Sequence, residues 1–319
     1  MKEQDFYKKF TGCLQSLENE LEMEEQEKVV NVFVMGLPRS GTTLLTQLLY
    51  ENTDLYCTNN LIARFWKTPL VGAQLSKFTI SETSSARYSS NYGRTSEIDH
   101  PHEFSWFWHD LLKVGNVDQY NPEQASLSID WKKVLTKIIN LNRILGGGLV
   151  FKPMELVGFH LPKFAELFKQ ALFVYINRDP MEVALSILKA RQANGCGECS
   201  WWGSYPPKAI YDKVKHKTEL LQVTHQVLYF KSLYDNQLSK VPVHQILKTS
   251  YKSVCDSPKE FLEEIKNCAT QLGGNLRIRN VPPPFSIRPK NFTESALDEL
   301  RTAFTEAENE ITNTPDLNI

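Results

Sequence analysis

The sequence predicts an α/β fold of three layers, in which helices cover both faces of a central parallel sheet. Short apolar runs rich in β-branched and aromatic residues alternate with longer helical segments along the chain. This alternation is typical of parallel strands joined by helical crossovers. The first of these runs ends in a glycine-rich loop, and a helical pattern follows the loop directly.

The composition is that of an ordinary folded chain. It has 319 residues, of which 41% are hydrophobic and 23% charged, and its formal net charge is −1. The absence of a basic excess argues against a dedicated nucleic-acid binder, so we expect no nucleic-acid partner. No apolar run approaches the roughly 20 residues that span a bilayer. The acidic stretch at 18–27 is unlike a secretory signal.

The six cysteines are spread over the whole chain and form no dense disulfide framework. We therefore expect reduced thiols and a cytoplasmic protein. Cys196 and Cys199 are the single CxxC pair. One such pair without a second favours two loop cysteines over a metal or redox site.

Four buried strands are predicted from short runs rich in apolar residues, at 29–35, 149–151, 172–176 and 243–247. Helical periodicity predicts helices at 44–50, 103–112, 130–145, 160–170, 211–239, 257–272 and 293–311. A further helix is expected to start after Asp179, which suits an N-cap with Pro180 at the first helical position. Polar composition without periodicity predicts loops at 76–102 and 195–209. Residues 1–28 are predicted to form an N-terminal helical extension, and residues 29–319 are predicted to form one domain.

The glycine-rich loop is the strongest motif. Residues 36–43 read GLPRSGTT between the first strand and its helix, where backbone N–H groups and the helix N-terminus converge on an anion. The glycine spacing is that of a P-loop, but Thr42 stands where a nucleoside triphosphatase has its lysine. The cation is Arg39, inside the loop. We therefore expect a P-loop-like nucleotide-binding core that suits a terminal phosphate or phosphosulfate better than a triphosphate with Mg²⁺.

This loop resembles the 5′-phosphosulfate loop of the sulfotransferases that use 3′-phosphoadenosine 5′-phosphosulfate (PAPS). The resemblance implies that the cofactor-binding residues of the loop are Pro38, Arg39, Ser40, Gly41, Thr42 and Thr43. A second signature of that family is a strand followed by an arginine, with a serine eight residues later. Arg178 and Ser186 match this pattern, and in the family these two residues hold the 3′-phosphate of the nucleotide. Arg178 also leaves the carboxyl end of a strand, where ligands of open α/β sheets bind.

Three weaker similarities accompany these signatures. Lys152, at the end of the strand 149–151, resembles a family lysine that contacts the transferring sulfuryl group. Tyr251 resembles a family tyrosine that packs near the adenine, although Lys252 replaces the glutamate that follows it there. Arg288 resembles a basic residue that closes over the nucleotide in protein-tyrosine sulfotransferases.

The resemblance implies transfer of a sulfuryl group from PAPS to a hydroxyl acceptor, with Arg39 and Lys152 as the catalytic cations and without a metal. A general base must take the acceptor proton. The candidates cluster at 100–103, where Glu103 is preferred slightly to His102, and His100 follows. The alternative is that Glu103 only favours the start of a helix.

The acceptor is not identified by the sequence beyond its hydroxyl group. Aromatic residues that are candidates for an apolar acceptor pocket, although such residues more often belong to a core, are Trp106, Phe107, Trp108, Trp201 and Trp202. Two other functions stay open: a P-loop kinase or other NTPase with a degenerate loop, and an inactive nucleotide-binding module. The inactive module requires Lys152 and the 100–103 cluster to lie far from the loop.

Overall fold

The computed structural model describes residues 2–23, 29–80, 88–195, 201–287 and 293–313. A sheet of five parallel strands forms the centre, in the order β2-β3-β1-β4-β5. The strands are β1 Asn31–Gly36, β2 Tyr56–Cys57, β3 Leu149–Phe151, β4 Ala171–Asn177 and β5 Ile246–Ser250. The predicted three-layer α/β/α architecture is confirmed.

The two faces of the sheet belong to two separate hydrophobic clusters. Side chains alternate along a strand, so Phe33 and Met35 of β1 point into one cluster, whereas Val32 and Val34 point into the other. Strand β1 pairs along its whole length with β4, from Asn31 opposite Ala171 to Gly36 opposite Ile176. Because β1 is central and fully covered, the loop that follows it starts from a fixed strand end.

Helices cover both faces. Those before the third strand are α1 Glu3–Cys13, α2 Gln15–Glu20, α3 Thr42–Asn52, α4 Asn60–Arg64, α5 Pro69–Thr79, α6 Ser105–Leu111, α7 Pro122–Ser126 and α8 Trp131–Leu145. Those after it are α9 Met154–Gly158, α10 Leu161–Leu167, α11 Pro180–Ala193, α12 Lys208–Val214, α13 Glu219–Ser239, α14 Tyr251–Asp256, α15 Pro258–Gln271 and α16 Glu294–Asn313. The cluster that contains Val32 includes α3 and α15, and the cluster that contains Phe33 includes α6, α8, α10 and α13.

The sequence prediction differs from the structure at several elements. The two-residue strand β2 was not predicted, because a run so short has no periodicity. The helix expected at 211–239 is two helices, α12 and α13, and Thr218 caps the second through the backbone N–H of Leu221. The fourth predicted strand lies three residues later, since 243–245 form a turn of 3₁₀ helix. The loop expected to begin at residue 76 begins after Thr79, where α5 ends.

The N-terminal helices are docked on the domain by a buried carboxylate. Glu18 of α2 accepts hydrogen bonds from the backbone N–H groups of Leu70 and Val71, at 2.9 and 3.0 Å, at the start of α5. Lys137 of α8 donates to the same carboxylate at 2.7 Å. Burial raises the pKa of Glu18, and the bonds from Lys137 oppose that shift. In the described part of the chain, no helix is long and apolar enough to cross a membrane.

Candidate functional site

The glycine-rich loop joins β1 to α3 and needs glycine at two positions. A Cβ atom on Gly36 would lie 2.6 Å from Ser40 Oγ and 2.7 Å from the carbonyl oxygen of Ile176. Gly41 has φ of +108°, and a Cβ there would lie 2.4 Å from the ring of Tyr251. The loop therefore packs closely against β4 and α14. Helix α3 begins at Thr42, so the N–H groups of its first turn have no partner within the helix.

Arg39 extends from the loop across the site. Its Nε donates to Ser186 Oγ at 3.2 Å, and its guanidinium lies 5.4 Å from the centre of the Tyr92 ring. Burial lowers the pKa of Arg39, and the charge of Arg178 lowers it further, but a guanidinium stays protonated in proteins. Arg39 thus keeps a positive charge that is partly withdrawn from water.

Lys152 reaches the same place from the end of β3. Its Nζ donates to Thr43 Oγ1 at 2.7 Å and to the Gly93 carbonyl oxygen at 3.2 Å. It also forms an ion pair with Glu103 Oε1 at 2.7 Å, and its side chain is only 7% exposed. The candidate cation, the loop hydroxyl and the candidate base therefore meet at one point, although they are far apart in the sequence.

Three polar groups converge on Gly93. A Cβ atom built on Gly93 would lie 3.6 Å from Thr43 Oγ1, 3.8 Å from Arg39 Nη1 and 3.8 Å from Lys152 Nζ. One hydroxyl and two cations thus lie close together next to the loop. This donor set is the kind that binds a phosphate or phosphosulfate.

Arg178 follows β4 and is fixed against the loop. Its Nη1 donates to the carbonyl oxygen of Arg39 at 2.8 Å, and its Nε donates to Glu182 Oε2 at 3.0 Å. The guanidinium stacks on the ring of Tyr251, 4.2 Å from the ring centre. Ser186, two turns into α11, is linked to this group through Arg39. The second sequence signature therefore lies directly beside the first.

A cavity of about 510 Å³ opens over these residues. Of the loop residues proposed from the sequence, Pro38, Arg39, Gly41, Thr42 and Thr43 line it, as do Glu103, Lys152, Arg178 and Tyr251. Ser40 differs: its hydroxyl is buried with no hydrogen-bond partner in the described structure, and its N–H donates to the Leu37 carbonyl oxygen. Ser40 is thus absent from the described lining of this cavity, and its role in binding stays a prediction.

The base candidates at 100–103 are separated by the fold. Glu103 lines the cavity, whereas His102 lines a different one, together with Trp106 and Arg64. The Nδ1 atom of His102 accepts a hydrogen bond from the N–H of Phe104 at 2.8 Å. Burial lowers the pKa of His102. Glu103 is thus the member of this cluster that lies beside Lys152 and the loop.

Three other histidines, His100, His109 and His160, have different surroundings. His100 is buried, and its Nδ1 has no partner among the described residues. His109 lines the cavity that contains Glu103, and burial lowers its pKa. Burial also lowers the pKa of His160 to about 4, and this residue packs away from the site in a hydrogen bond with the hydroxyl of Tyr120.

The candidate aromatic residues divide between core and cavity. Phe107 and Trp108 are buried in the hydrophobic core, as aromatic residues in a helix commonly are. Trp106 is 47% exposed and lines the cavity that contains His102. Trp201 and Trp202 line the cavity over the loop. Arg288, Cys196 and Cys199 lie outside the described residues.

Several residues that line the cavity were not identified from the sequence. Tyr92, Gly93 and Arg94 come from the segment expected to be a loop, and Glu155 comes from the short helix α9. The Gly203–Tyr205 turn adds to the wall formed by the two tryptophans. None of these residues belongs to a recognisable motif, although a carboxylate three residues after Lys152 was a signal that could have been used.

Positive φ angles at residues other than glycine concentrate around the site. Five such residues occur in the described chain, and four of them lie on segments that line the cavity: Arg39 at 68°, Tyr92 at 49°, Phe104 at 58° and Met154 at 54°. Phe104 separates Glu103 from Ser105, and Met154 follows Lys152 by two residues. Strained backbone of this kind is typical of functional sites.

The chain matches the model of the sulfotransferase family over residues 31–269. It belongs to the sulfotransferase family. The match spans the loop, Glu103, Lys152, Arg178 and Tyr251. No curated protein sequence matches the chain.

Solved structures of bacterial sulfotransferases are similar to this chain, and one of them reaches a TM-score of 0.50. The sulfotransferase STF9 of Mycobacterium avium is 13% identical, with a TM-score of 0.50 over 94% of this chain and 81% of that one. STF1 of Mycobacterium tuberculosis is 13% identical, with a TM-score of 0.47 over 92% of this chain and 75% of that one. A sulfotransferase of Alicyclobacillus acidocaldarius is also 13% identical, with a TM-score of 0.44 over 87% of this chain and 92% of that one.

Proposed function

We propose that this protein transfers the sulfuryl group of PAPS to a hydroxyl acceptor. The observation that supports this most directly is the convergence of Thr43, Arg39 and Lys152 on one wall of the cavity over the glycine-rich loop. Membership in the sulfotransferase family supports the same reaction. In the proposal the 5′-phosphosulfate lies in the cavity beside these three groups and also accepts hydrogen bonds from the first turn of α3.

Arg178 and Ser186 bind the 3′-phosphate in this proposal. Arg178 is the cation nearest to the carboxyl end of β4, and its side chain is 13% exposed, so a phosphate there would meet a charge with little competing water. Tyr251, already stacked on Arg178, offers a flat surface for the adenine. The resemblance that assigns Arg288 to the nucleotide remains a prediction.

Glu103 is the proposed general base. As the acceptor oxygen bonds to sulfur, the bond between sulfur and the bridging phosphate oxygen breaks, and the hydroxyl proton passes to Glu103. The products are the sulfate ester and adenosine 3′,5′-bisphosphate (PAP). Lys152, 2.7 Å from Glu103, stabilises negative charge on the bridging oxygen as it leaves.

Two alternative functions are less well supported. A kinase or other NTPase would need a lysine at position 42, where this chain has Thr42. An inactive module would have Lys152 remote from the loop, whereas Lys152 Nζ lies 2.7 Å from Thr43 Oγ1.

A thermal shift panel tests the proposed nucleotide. A ligand that binds only the folded state raises its stability by mass action, by about 2.7 kcal/mol at 100 times its Kd. PAP should raise the Tm clearly, and ATP with Mg²⁺ should raise it far less. A larger shift with ATP and Mg²⁺ than with PAP would contradict the proposal.

A further inference from the structure

Glu155 is a buried carboxyl group on the cavity wall to which the proposed reaction assigns no role. It lies in α9, three residues after Lys152, and only 7% of it is exposed. It lines the same cavity as Glu103 and the glycine-rich loop. Burial raises the pKa of Glu155, and the nearby charge of Glu103 raises it further. Burial of a carboxyl group costs stability unless hydrogen bonds compensate for the lost water.

The hydrogen bonds of Glu155 attach it to the aromatic wall. Ser204 Oγ donates to Glu155 Oε2 at 2.7 Å. The carbonyl oxygen of Ser204 accepts from Trp201 Nε1 at 2.9 Å and from Gln226 Nε2 at 2.7 Å. Ser204, itself fixed by Trp201 and Gln226, therefore connects Glu155 to the aromatic segment 201–205.

The other charged groups of the cavity do not neutralise Glu155. Arg178 donates to the carbonyl oxygen of Arg39, and Arg39 donates to Ser186 Oγ. Lys152 is paired with Glu103. Arg94 is exposed, so water and salt screen its charge. Burial lowers the pKa of His109, which keeps this imidazole neutral at neutral pH. The cations Arg39, Arg178 and Lys152 therefore lie on the side of the cavity next to the glycine-rich loop. The other side, formed by the aromatic segment 201–205, carries the carboxyl group of Glu155.

We infer that Glu155 determines acceptor specificity, so that the cavity takes a hydroxyl acceptor with an aromatic or apolar body that is uncharged or cationic, and disfavours anionic acceptors. This inference rests on the proposed sulfuryl transfer. Trp202 and Tyr205 provide the apolar contact surface. Attraction for an ammonium group is expected in either protonation state of Glu155, whereas repulsion of an anionic acceptor requires the ionised form. An ionised carboxylate attracts an ammonium group, and a protonated one ionises more easily when an ammonium group binds.

Three phenols of matched shape test the charge preference: tyramine, 4-ethylphenol and 4-hydroxyphenylacetate. Each is supplied with PAPS, and formation of PAP gives kcat/KM. We expect tyramine and 4-ethylphenol to exceed 4-hydroxyphenylacetate by about 10-fold or more, since charges interact strongly at a site of low effective dielectric constant. Equal values, or a preference for 4-hydroxyphenylacetate, would overturn the inference.

The variant Glu155→Gln tests whether Glu155 causes this charge preference among acceptors. The amide keeps an oxygen that accepts from Ser204 but removes the negative charge. The ratio of kcat/KM for tyramine to that for 4-hydroxyphenylacetate should fall about 10-fold in this variant. Glu166→Gln is the matched control, because Glu166 is an exposed residue paired with Lys163, and it should keep the wild-type ratio. An unchanged ratio in Glu155→Gln would reject the role of Glu155.

Binding measurements decide the case in which no phenol is turned over. Each phenol is then titrated by calorimetry into the complex with PAP, and the same order of affinity is expected. If PAP binds and no phenol does, the specificity inference is wrong while the proposed nucleotide site stands. If PAP itself does not bind, the proposed function fails, and this inference fails with it.

Discussion

The two halves of the cavity are built in opposite ways. The phosphate half lies at the ends of β1, β3 and β4, where Lys152 donates to Thr43 and Arg178 donates to the carbonyl oxygen of Arg39 in the loop. The acceptor half lies under the 201–205 wall, where the carboxyl group of Glu155 is held by neutral donors. Glu103 lies at the boundary, paired with Lys152. The difference matches our proposal, in which one half binds a polyanion and the other an apolar body without negative charge.

The largest expected effect concerns the boundary between the halves. Glu103→Gln should reduce turnover about 10²- to 10⁴-fold, the usual contribution of a general base. The affinity for PAP, measured by calorimetry, should remain close to that of the wild type. His102→Asn is the adjacent comparison, because His102 lines the other cavity, and it should keep near-normal turnover. The reverse pattern would assign the base to His102, and normal turnover in both variants would direct attention to His100 and His109.

In the phosphate half, Arg39→Ala should reduce kcat about 10²- to 10³-fold. Removing one donor to a developing charge costs about 2.7–4 kcal/mol, and Arg39 is the cation inside the loop. Arg301→Ala, at an exposed arginine of α16 paired with Asp298, is the control and should retain activity. A folded Arg39→Ala protein within a few-fold of wild type would show that this cation does not act on the sulfuryl group.

A somewhat smaller effect is expected when the proposed contact with the 3′-phosphate of the nucleotide is removed. Arg178→Ala should weaken PAP binding about 10- to 150-fold, since a hydrogen bond to a charged group contributes about 1.5–3 kcal/mol. The wild type should use adenosine 5′-phosphosulfate poorly compared with PAPS, because the site's polar groups stay unpaired without the 3′-phosphate. Equal use of both donors would remove Arg178 and Ser186 from this role.

The phosphate half could be predicted from the sequence to a large extent, and the reason is physical. Strand ends in a parallel sheet lie at the same edge, so the loop, Lys152 and Arg178 converge once the strands are recognised. The motif residues are also contiguous or a fixed number of residues apart.

The acceptor half could not be predicted in the same way. It combines the 92–94 turn, Glu155 of α9 and the 201–205 segment, which meet only through tertiary packing. For the same reason, the sequence did not show that His102 and Glu103 lie in different surroundings. These neighbours line different cavities, and composition gives no sign of that divergence.

The smallest expected effect is that of chelation. Activity should survive EDTA, because the loop carries Thr42 in place of the lysine that accompanies magnesium in NTPases. Initial rates with and without EDTA measure this directly. Complete loss that added Mg²⁺ restores would favour the NTPase alternative and a metal in the phosphate half.

The most direct test of the central claim follows the label of [³⁵S]PAPS in the presence of 4-ethylphenol and tyramine. The account predicts a ³⁵S-labelled ester and an equal amount of PAP, with the rate strongly reduced in Glu103→Gln and Arg39→Ala. A parallel reaction with [γ-³²P]ATP and Mg²⁺ should leave the acceptors unlabelled. Labelling from ATP without labelling from PAPS would contradict the account.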